Sequence, residues 1–429
     1  MKYYSLNNPN EFVSFKEALT KGLAPDKGLY FPESVPMLGQ GFIDILPYLS
    51  NTEIAYEVLK HFVGEEIPER DFKKIVEEAF DFELPTVVLD SKTAVLELFH
   101  GPSMAFKDVG ARFMAGCLSY FEKESFDGED LHILVATSGD TGGAVAAGFY
   151  GKPGVKVHVL YPKGKVSEFQ EHQLTSLGDN IYSYAVNGDF DKCQHIVKQA
   201  FIDPNINLSL SSANSINIGR WLSQMIYYFI AYKDLNNPKD LAISVPSGNF
   251  GNICAGLVAR EMGLPIKQFI AATNANDTVV RFMETKLYAP NPTVATISNA
   301  MDVSNPSNFV RIQELLGGSL ANFEAHSYSD AQAIEAISEL YQDYNYVSEP
   351  HGAIAYLGLQ KYLKQDPEAR GLFLATAHPV KFMEVLPEHI QKKAAVGVAM
   401  PESEWPRPQH REIVDYASFV NSLESYVVS

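Results

Sequence analysis

Lys107 is the residue whose surroundings first suggest chemistry. It follows an apolar run, "TAVLELF", and opens a segment with apolar side chains at helical spacing, and Met104, Ala105 and Phe106 precede it. A lysine that is partly removed from water loses proton affinity, because desolvation penalises the charged form. The neutral amine can then attack a carbonyl carbon. The sequence therefore predicts a carbonyl-binding lysine at the carboxyl end of a strand.

Two glycine-rich loops are the next candidates. "TSGDTGG" (137–143) and "PSGNFGN" (246–252) each follow an apolar strand candidate and open a helix. Glycine lets the backbone approach a ligand, and the free N–H groups of a first helical turn bind anions. Neither loop continues as a Walker A sequence or matches G-x-G-x-x-G, so neither favours a nucleotide. Each loop predicts a phosphate or carboxylate site.

Together the amine and the loops suggest one cofactor, pyridoxal phosphate. Its aldehyde needs an amine for a Schiff base and its phosphate needs an anion site, which leaves the second loop for a substrate carboxylate. Two structural alternatives to these functional interpretations stay open: the loops are only tight connections between strand and helix, and Lys107 is an ordinary solvated lysine. Lys381, in "TAHPVKFME", also follows a strand candidate and ranks second as the reactive amine.

The elements that must position these residues form an α/β pattern. From Thr93 onward strand candidates alternate with helical segments, which is typical of βαβ units and of parallel sheets covered on both faces. We expect two open sheets in two lobes, with ligands at the carboxyl ends of their strands. The predicted domains are a mainly helical N-terminal domain (1–91), a smaller lobe with Lys107 (92–233) and a larger lobe with a C-terminal surface tail (234–429).

Composition restricts the partners. The 429-residue chain has a formal net charge of −18, which disfavours nucleic acid and anionic membranes as partners. No signal peptide or membrane-spanning run is visible, so we expect a cytoplasmic protein. Cys117, Cys193 and Cys254 lie far apart, which predicts free buried thiols rather than disulfides or a metal site.

Eight short motifs occur in the order found in the threonine synthase family. They are "HGPSMAFKD", "ATSGDTGGA", "PKGKVS", "NSINIGR", "VPSGNFGN", "MDVSNPSNF", "EPHGA" and "ATAHPVKF", preceded by "GLAPDKGLYFPE". The chain thus resembles the longer bacterial and fungal branch of that family from about Gly22 to Phe382. The resemblance implies a fold-type II pyridoxal-phosphate enzyme, similar in fold to the tryptophan synthase β chain. It also implies conversion of O-phospho-L-homoserine and water to L-threonine and phosphate.

The resemblance also implies roles around the cofactor. Lys107 would carry the Schiff base and act as the catalytic amine, Thr376 would face the pyridine nitrogen, and Asp140 would lie near the phenolic oxygen. The cofactor phosphate would be held by the backbone of five consecutive residues: Gly248, Asn249, Phe250, Gly251 and Asn252.

Substrate contacts follow in the same way. The substrate carboxylate would be bound by Ser138, Asp140 and Thr141. The substrate phosphate would be bound by Asn214 and Arg220, with Lys163 or Lys165 as helpers. A guanidinium suits this task, because it can bind phosphate in a bidentate manner and neutralise charge on the leaving oxygen. On the residues alone, however, Arg220 could equally be a solvated helix residue.

The chain departs from the family pattern at a few positions. Ser103, Met104, Asn299 and Gly352 stand where other residues are common, which concerns substrate contacts rather than the cofactor site. Alternative functions are a threonine or serine dehydratase, a threonine synthase-like phospho-lyase, or a cofactor-binding protein that forms no threonine. We expect a monomer or a homodimer.

Overall fold

The computed structural model describes residues 1–124, 130–317, 320–396 and 409–425. Its strands are β1 (Tyr3–Ser5), β2 (Asn8–Val13), β3 (Tyr30–Pro32), β4 (Thr86–Val88), β5 (Thr93–Glu97), β6 (Leu131–Ala136), β7 (Val155–Pro162), β8 (Ile181–Val186), β9 (Leu210–Ser212), β10 (Leu241–Pro246), β11 (Ile266–Thr273), β12 (Phe323–Ser327), β13 (Arg370–Ala375) and β14 (Arg411–Ile413).

The helices are α1 (Phe15–Lys21), α2 (Gln40–Ile45), α3 (Asn51–Val63), α4 (Glu69–Ala79), α5 (Lys107–Glu124), α6 (Asp140–Phe149), α7 (Glu168–Thr175), α8 (Phe190–Ala200), α9 (Ile218–Leu222), α10 (Ile226–Asp234), α11 (Gly251–Glu261), α12 (Thr278–Thr285), α13 (Phe309–Leu315), α14 (Asp330–Tyr344), α15 (Pro350–Gln365), α16 (Glu388–Ala394) and α17 (Tyr416–Glu424). Short 3₁₀ segments cover Leu46–Tyr48, Ser223–Met225, Asn299–Met301 and Pro379–Val385. None of these described helices is both long and apolar enough to cross a bilayer.

The N-terminal domain is mainly helical, as the sequence predicts, but it also contains a small antiparallel sheet of order β2-β1-β3. Helix α3 shows why the helices form here. Ser50 and Glu53 make a reciprocal capping box at its start, and Ile54, Val58 and Phe62 fall on one buried face.

Two larger sheets form the rest of the molecule. One has the order β12-β11-β10-β13-β5-β4 and is parallel except for β4, and the other has the order β14-β8-β7-β6-β9 and is parallel throughout. Their inner strands are almost continuously buried, because helices cover both faces. The predicted fold class of two open sheets covered by helices is confirmed.

The sheets exchange segments of chain. Strand β5, which the sequence assigns to the smaller lobe, pairs with β13 in the six-stranded sheet. Strand β14 comes from the chain end assigned to the larger lobe, yet it pairs with β8 in the five-stranded sheet. The expected surface tail is therefore wrong at 411–413, while residues 400–408 of that stretch lie outside the described residues. Short polar strands such as "REI" owe their pairing to tertiary contacts, so local sequence did not reveal it.

Candidate active site

A short turn sets Lys107 at the first position of α5. The backbone N–H of Phe106 donates to the Thr376 carbonyl at 2.8 Å, and His378 N–H donates to the Met104 carbonyl at 3.0 Å. Met104 adopts a positive φ of 55°, which bends the chain into the helix. The turn before Lys107 is thus fixed against the carboxyl end of β13.

The amine of Lys107 is partly removed from water. The side chain is half-buried, and its Nζ lies 5.6 Å from the centroid of the Phe106 ring. Burial lowers the pKa of Lys107 to about 8; Asp140 opposes that shift, while Arg220 and Lys381 add to it. No hydrogen bond or ion pair joins this amine to any residue in the described part of the chain. It is free to react.

Lys381, the rival amine, is in a different state. It is buried, its Nζ lies 2.5 Å from Asp140 Oδ1, and it donates to the Ser103 carbonyl at 2.9 Å. Burial works against the charge of Asp140, but Lys381 and Lys107 outweigh it and hold the pKa of that carboxyl well below its usual range. Because the Lys381 amine is engaged by a carboxylate and by a carbonyl, it is less available than Lys107 to attack a ligand.

The loop at 247–252 forms a cradle of donors. Within the described ranges no acceptor meets the backbone N–H groups of Gly248, Asn249 and Phe250, and Asn252 Nδ2 is buried without a partner. Phe250 adopts a left-handed conformation, φ 61°, at the start of α11. These donors lie at the positive end of the helix, and such an arrangement binds an anion.

Neighbouring segments hold this loop in place. The side chain of Asn249 donates from Nδ2 to Ser215 Oγ at 2.6 Å, and its Oδ1 accepts from Ser307 N–H at 2.6 Å. Asn308 Nδ2 donates to the Asn249 carbonyl at 2.9 Å. At Gly248 a Cβ would lie 2.6 Å from the Met301 Cα, so only glycine fits. The backbone N–H groups are thereby held ready for a ligand.

The loop at 137–143 repeats the arrangement at the end of β6. Thr137 Oγ1 accepts from the N–H groups of Gly139 at 2.9 Å and Gly142 at 2.8 Å. The N–H groups of Ser138, Asp140 and Thr141 have no acceptor among the described residues. Ser138 and Thr141 are half-buried at the start of α6. This second cradle also suits an anion.

Arg220 is a buried cation without a carboxylate partner among the described residues. It is 3 % exposed, one Nη donates to the Ala213 carbonyl, and its Nε has no partner. Burial lowers its pKa to about 10, which still leaves the guanidinium charged near neutral pH. A buried charge without a partner is costly, and a bound phosphate would supply the missing counter-charge.

The other predicted site residues divide into two groups. Thr376 lies beside the turn before Lys107, with its carbonyl bonded to Phe106 and its hydroxyl free within the described chain. Asn214 lies in the loop before Arg220, where its Nδ2 donates to the Ala136 carbonyl at 3.0 Å. Lys163 and Lys165 are exposed, and Lys163 pairs with Glu412 at 2.5 Å. The structure does not bring these two lysines into contact with the other site residues.

The sequence did not reveal the residues that hold the site loops in place through hydrogen bonds. Arg311 is fully buried and binds the Ser215 and Ile216 carbonyls, which fixes the loop that leads to Arg220. His351 Nδ1 lies 2.5 Å from Glu349 Oε2, and its Nε2 accepts from Ala300 N–H at 3.2 Å, beside the Gly248 cradle. Both residues lie within or beside the quoted motifs "MDVSNPSNF" and "EPHGA", but spacing alone gave them no role.

The residues present fit pyridoxal phosphate. An unpaired amine of lowered pKa, a cradle of free N–H groups and the unpartnered Asn252 Nδ2 are the donors that an aldehyde bearing a phosphate requires. The second cradle and Arg220 remain for an anionic substrate. The arrangement can bind an amino acid that carries two negatively charged groups.

Comparison with known proteins gives two family matches. Residues 92–376 match the pyridoxal-phosphate dependent enzyme family, and residues 2–80 match the threonine synthase N terminus family. A threonine synthase from Escherichia coli strain K12 is 46% identical over 391 residues, which cover 90% of this chain and 90% of that protein.

Solved structures agree with this result. The crystal structure of threonine synthase from Escherichia coli superposes with a TM-score of 0.91 at 42% identity, covering 99% of this chain and 100% of that chain. The crystal structure of a pyridoxal-phosphate-bound threonine synthase from Brucella melitensis superposes with a TM-score of 0.88 at 34% identity. The match covers 100% of this chain and 98% of that chain. Both likenesses extend over the N-terminal domain and both sheets.

Proposed function

The chain belongs to the threonine synthase family of pyridoxal-phosphate enzymes, and from that premise we propose which residues convert O-phospho-L-homoserine and water to L-threonine and phosphate. Lys107 binds the cofactor aldehyde covalently. The cradle from Gly248 to Asn252 holds the cofactor phosphate, and Thr376 and Asp140 contact its ring. The observation that carries the proposal is the free Lys107 amine beside two sets of unpaired anion donors.

Lys107 also serves as the acid and base of the reaction. When bound, pyridoxal phosphate withdraws electrons from the substrate, so that protons on the α- and β-carbons become acidic. Once the substrate amine has displaced it from the cofactor, Lys107 Nζ accepts these two protons. One proton returns to the γ-carbon after the phosphate leaves and one to the α-carbon as the product forms, while the added water supplies the β-hydroxyl and its remaining proton goes to the phosphate. A pKa of about 8 suits both tasks, because the amine exists in both protonation states near neutral pH.

Two groups hold the substrate by its ends. The N–H groups of Ser138, Asp140 and Thr141 bind the carboxylate, and Arg220 binds the phosphate. Asn214 orients the loop next to Arg220 through its bond to the Ala136 carbonyl. Arg220 stabilises the phosphate most strongly as it leaves with increasing negative charge. A threonine or serine dehydratase has no phosphate to bind, so a requirement for Arg220 favours the synthase.

Free thiols support a cytoplasmic location as part of the proposal. Cys117, Cys193 and Cys254 are buried and unpaired, which suits a reducing compartment. Subcellular fractionation that recovers the chain with secreted proteins would contradict this location.

One experiment tests the proposal. The purified chain is reduced with borohydride, digested and examined by peptide mass spectrometry, while a parallel sample is assayed for threonine and phosphate release from phosphohomoserine. We expect the cofactor on Lys107 and equal amounts of the two products. Cofactor on Lys381, or phosphate release without threonine, would overturn the assignment.

A further inference from the structure

Lys381 joins the two sheets at the active site. It lies in the 3₁₀ segment Pro379–Val385, which follows β13 of the six-stranded sheet, whereas Asp140 opens α6 after β6 of the five-stranded sheet. Their ion pair of 2.5 Å therefore crosses from one lobe to the other. Neither side chain is more than 4 % exposed.

Both ends of this contact lead to Lys107. Lys381 Nζ also donates to the Ser103 carbonyl at 2.9 Å, and Ser103 N–H donates to Asp108 Oδ2 at 2.9 Å, next to Lys107 in the chain. Asp140, in turn, is close enough to Lys107 to stabilise its positive charge. Lys381 thus binds the turn before the reactive amine and the carboxylate beside that amine.

The two oxygens of the Asp140 carboxylate differ in their contacts. Its Oδ1 receives Lys381 at 2.5 Å and Gln170 Nε2 at 3.2 Å, whereas no described residue is bonded to Oδ2. A buried ion pair is weak evidence for stability, because desolvation offsets the attraction between the charges. Its retention beside a reactive amine calls for another explanation, and fixing the position of Asp140 is one that the geometry supports.

We propose that Lys381 is a positioning residue of the active site, whose ammonium locks the two lobes together and holds the Asp140 carboxylate beside Lys107. This inference rests on the role proposed above for Lys107. Without the Lys381 charge, Asp140 acts on Lys107 alone and a repelling cation is lost. Both changes favour a proton at the Lys107 nitrogen, and the carboxylate also becomes free to move.

The test compares holoenzymes that carry Lys381→Met, Lys381→Arg and, as a matched control, Lys392→Met on the exposed side of α16. We expect Lys381→Met to shift the pH midpoint of the bound cofactor's visible absorbance upward by about one unit. We expect its kcat to fall about 10- to 100-fold with a smaller change in KM, because the substrate's anion donors remain. Lys381→Arg restores part of both properties, and Lys392→Met changes neither.

Two results would overturn the inference. One is an unchanged absorbance midpoint and kcat in Lys381→Met. The other is an equal fall of kcat in Lys381→Met and Lys381→Arg that is proportional to their loss of thermal stability, with the pH midpoint of the absorbance unchanged. That result would mean that Lys381 has a purely structural role.

A double variant keeps the inference testable if Lys381→Met alone does not fold. Lys381→Met with Asp140→Asn removes both charges of this pair, so neither partner is left behind as an unpaired buried ion. If the pair acts as a unit, the double variant loses about as much kcat as Asp140→Asn alone, whereas losses that multiply would refute the inference. Borohydride mapping of the wild-type chain separates the two hypotheses: cofactor away from Lys107 overturns the proposed function, while cofactor on Lys107 with a normal Lys381→Met overturns only this inference.

Discussion

Lys107 and Lys381 carry the same amine and differ in their partners. Lys381 is neutralised by Asp140 at 2.5 Å, whereas Lys107 has no hydrogen-bond or ion-pair partner in the described part of the chain and a pKa lowered by burial. The Lys107 amine can lose its proton and attack, whereas the Lys381 amine is occupied by the Asp140 carboxylate and the Ser103 carbonyl. At the scale of single residues, the two amines therefore differ because only Lys381 makes a direct ion pair with a carboxylate among the described residues.

Covalent binding of pyridoxal phosphate should follow the titration of Lys107. Only the neutral amine attacks, so the rate rises as pH increases and reaches half its maximum near pH 8, rather than near the usual lysine value of 10.5. Stopped-flow absorbance of the cofactor-free chain mixed with pyridoxal phosphate measures this rate. Lys107→Ala is the control and should form no covalent absorbance. An inflection near 10.5 would show that the amine is not desolvated.

Arg220→Ala should lower kcat/KM for phosphohomoserine by at least about 100-fold, because the leaving phosphate loses its buried counter-charge. Inhibition by inorganic phosphate should weaken in parallel. Arg70→Ala, at an exposed position of α4, is the matched control. Unchanged phosphate inhibition, with circular dichroism showing a folded chain, would remove Arg220 from the phosphate site.

The elements that matter most are the two strand-to-helix turns. Each ends a buried parallel strand and leaves backbone N–H groups unpaired at a helix start: Ser138, Asp140 and Thr141 in one, Gly248, Asn249 and Phe250 in the other. Side chains behind the turns, such as Asn249 and Thr137, fix the backbone before any ligand arrives. Such preorganised donors bind anions without a further ordering cost.

Gly248→Ala tests the cofactor cradle. The new methyl would lie 2.6 Å from the Met301 Cα, so the backbone must shift, at a cost of about 1–3 kcal/mol. We expect pyridoxal phosphate to bind about tenfold or more weakly, measured by fluorescence titration of the cofactor-free chain. Gly41→Ala is the control, since a Cβ there meets nothing within 4 Å. Equal affinities in the two variants would separate this loop from the cofactor.

At the scale of the whole molecule, the chain crosses between the sheets more than once. Strand β5 lies in the six-stranded sheet just before Lys107, and the chain returns near its end to add β14 to the five-stranded sheet. Helix α17 then packs against the same sheet, where the Phe419 ring lies 5.3 Å from that of Tyr184. The two lobes therefore depend on each other for completion.

Phe419→Ala should destabilise the five-stranded sheet, because its fully buried ring packs on β8 and such truncations cost about 3–5 kcal/mol. We expect a lower thermal midpoint and faster hydrogen exchange of β8 amides. Asn421→Ala, exposed on the same helix, is the control. If the two variants unfold at the same temperature, the chain end is not part of the core.

The sequence by itself determined the fold class, and it predicted the two glycine-rich turns as anion sites and Lys107 as the candidate amine. These features are local: strand and helix periodicity, glycines at strand ends and a lysine among apolar neighbours are all visible within about ten residues. The family motifs added the reaction and the cofactor, and both are confirmed by the comparisons.

Only the tertiary structure decided which lysine is paired, which strand joins which sheet, and what holds the turns. Asp140 and Lys381 are 241 positions apart, and β8 and β14 also lie in distant regions of the sequence. No local pattern therefore connects the members of either pair. The family resemblance also left Lys163 and Lys165 as candidates, although both are exposed. The physical reason is that burial and charge pairing depend on which distant segments meet, and these same two effects decide the proton affinity of an amine.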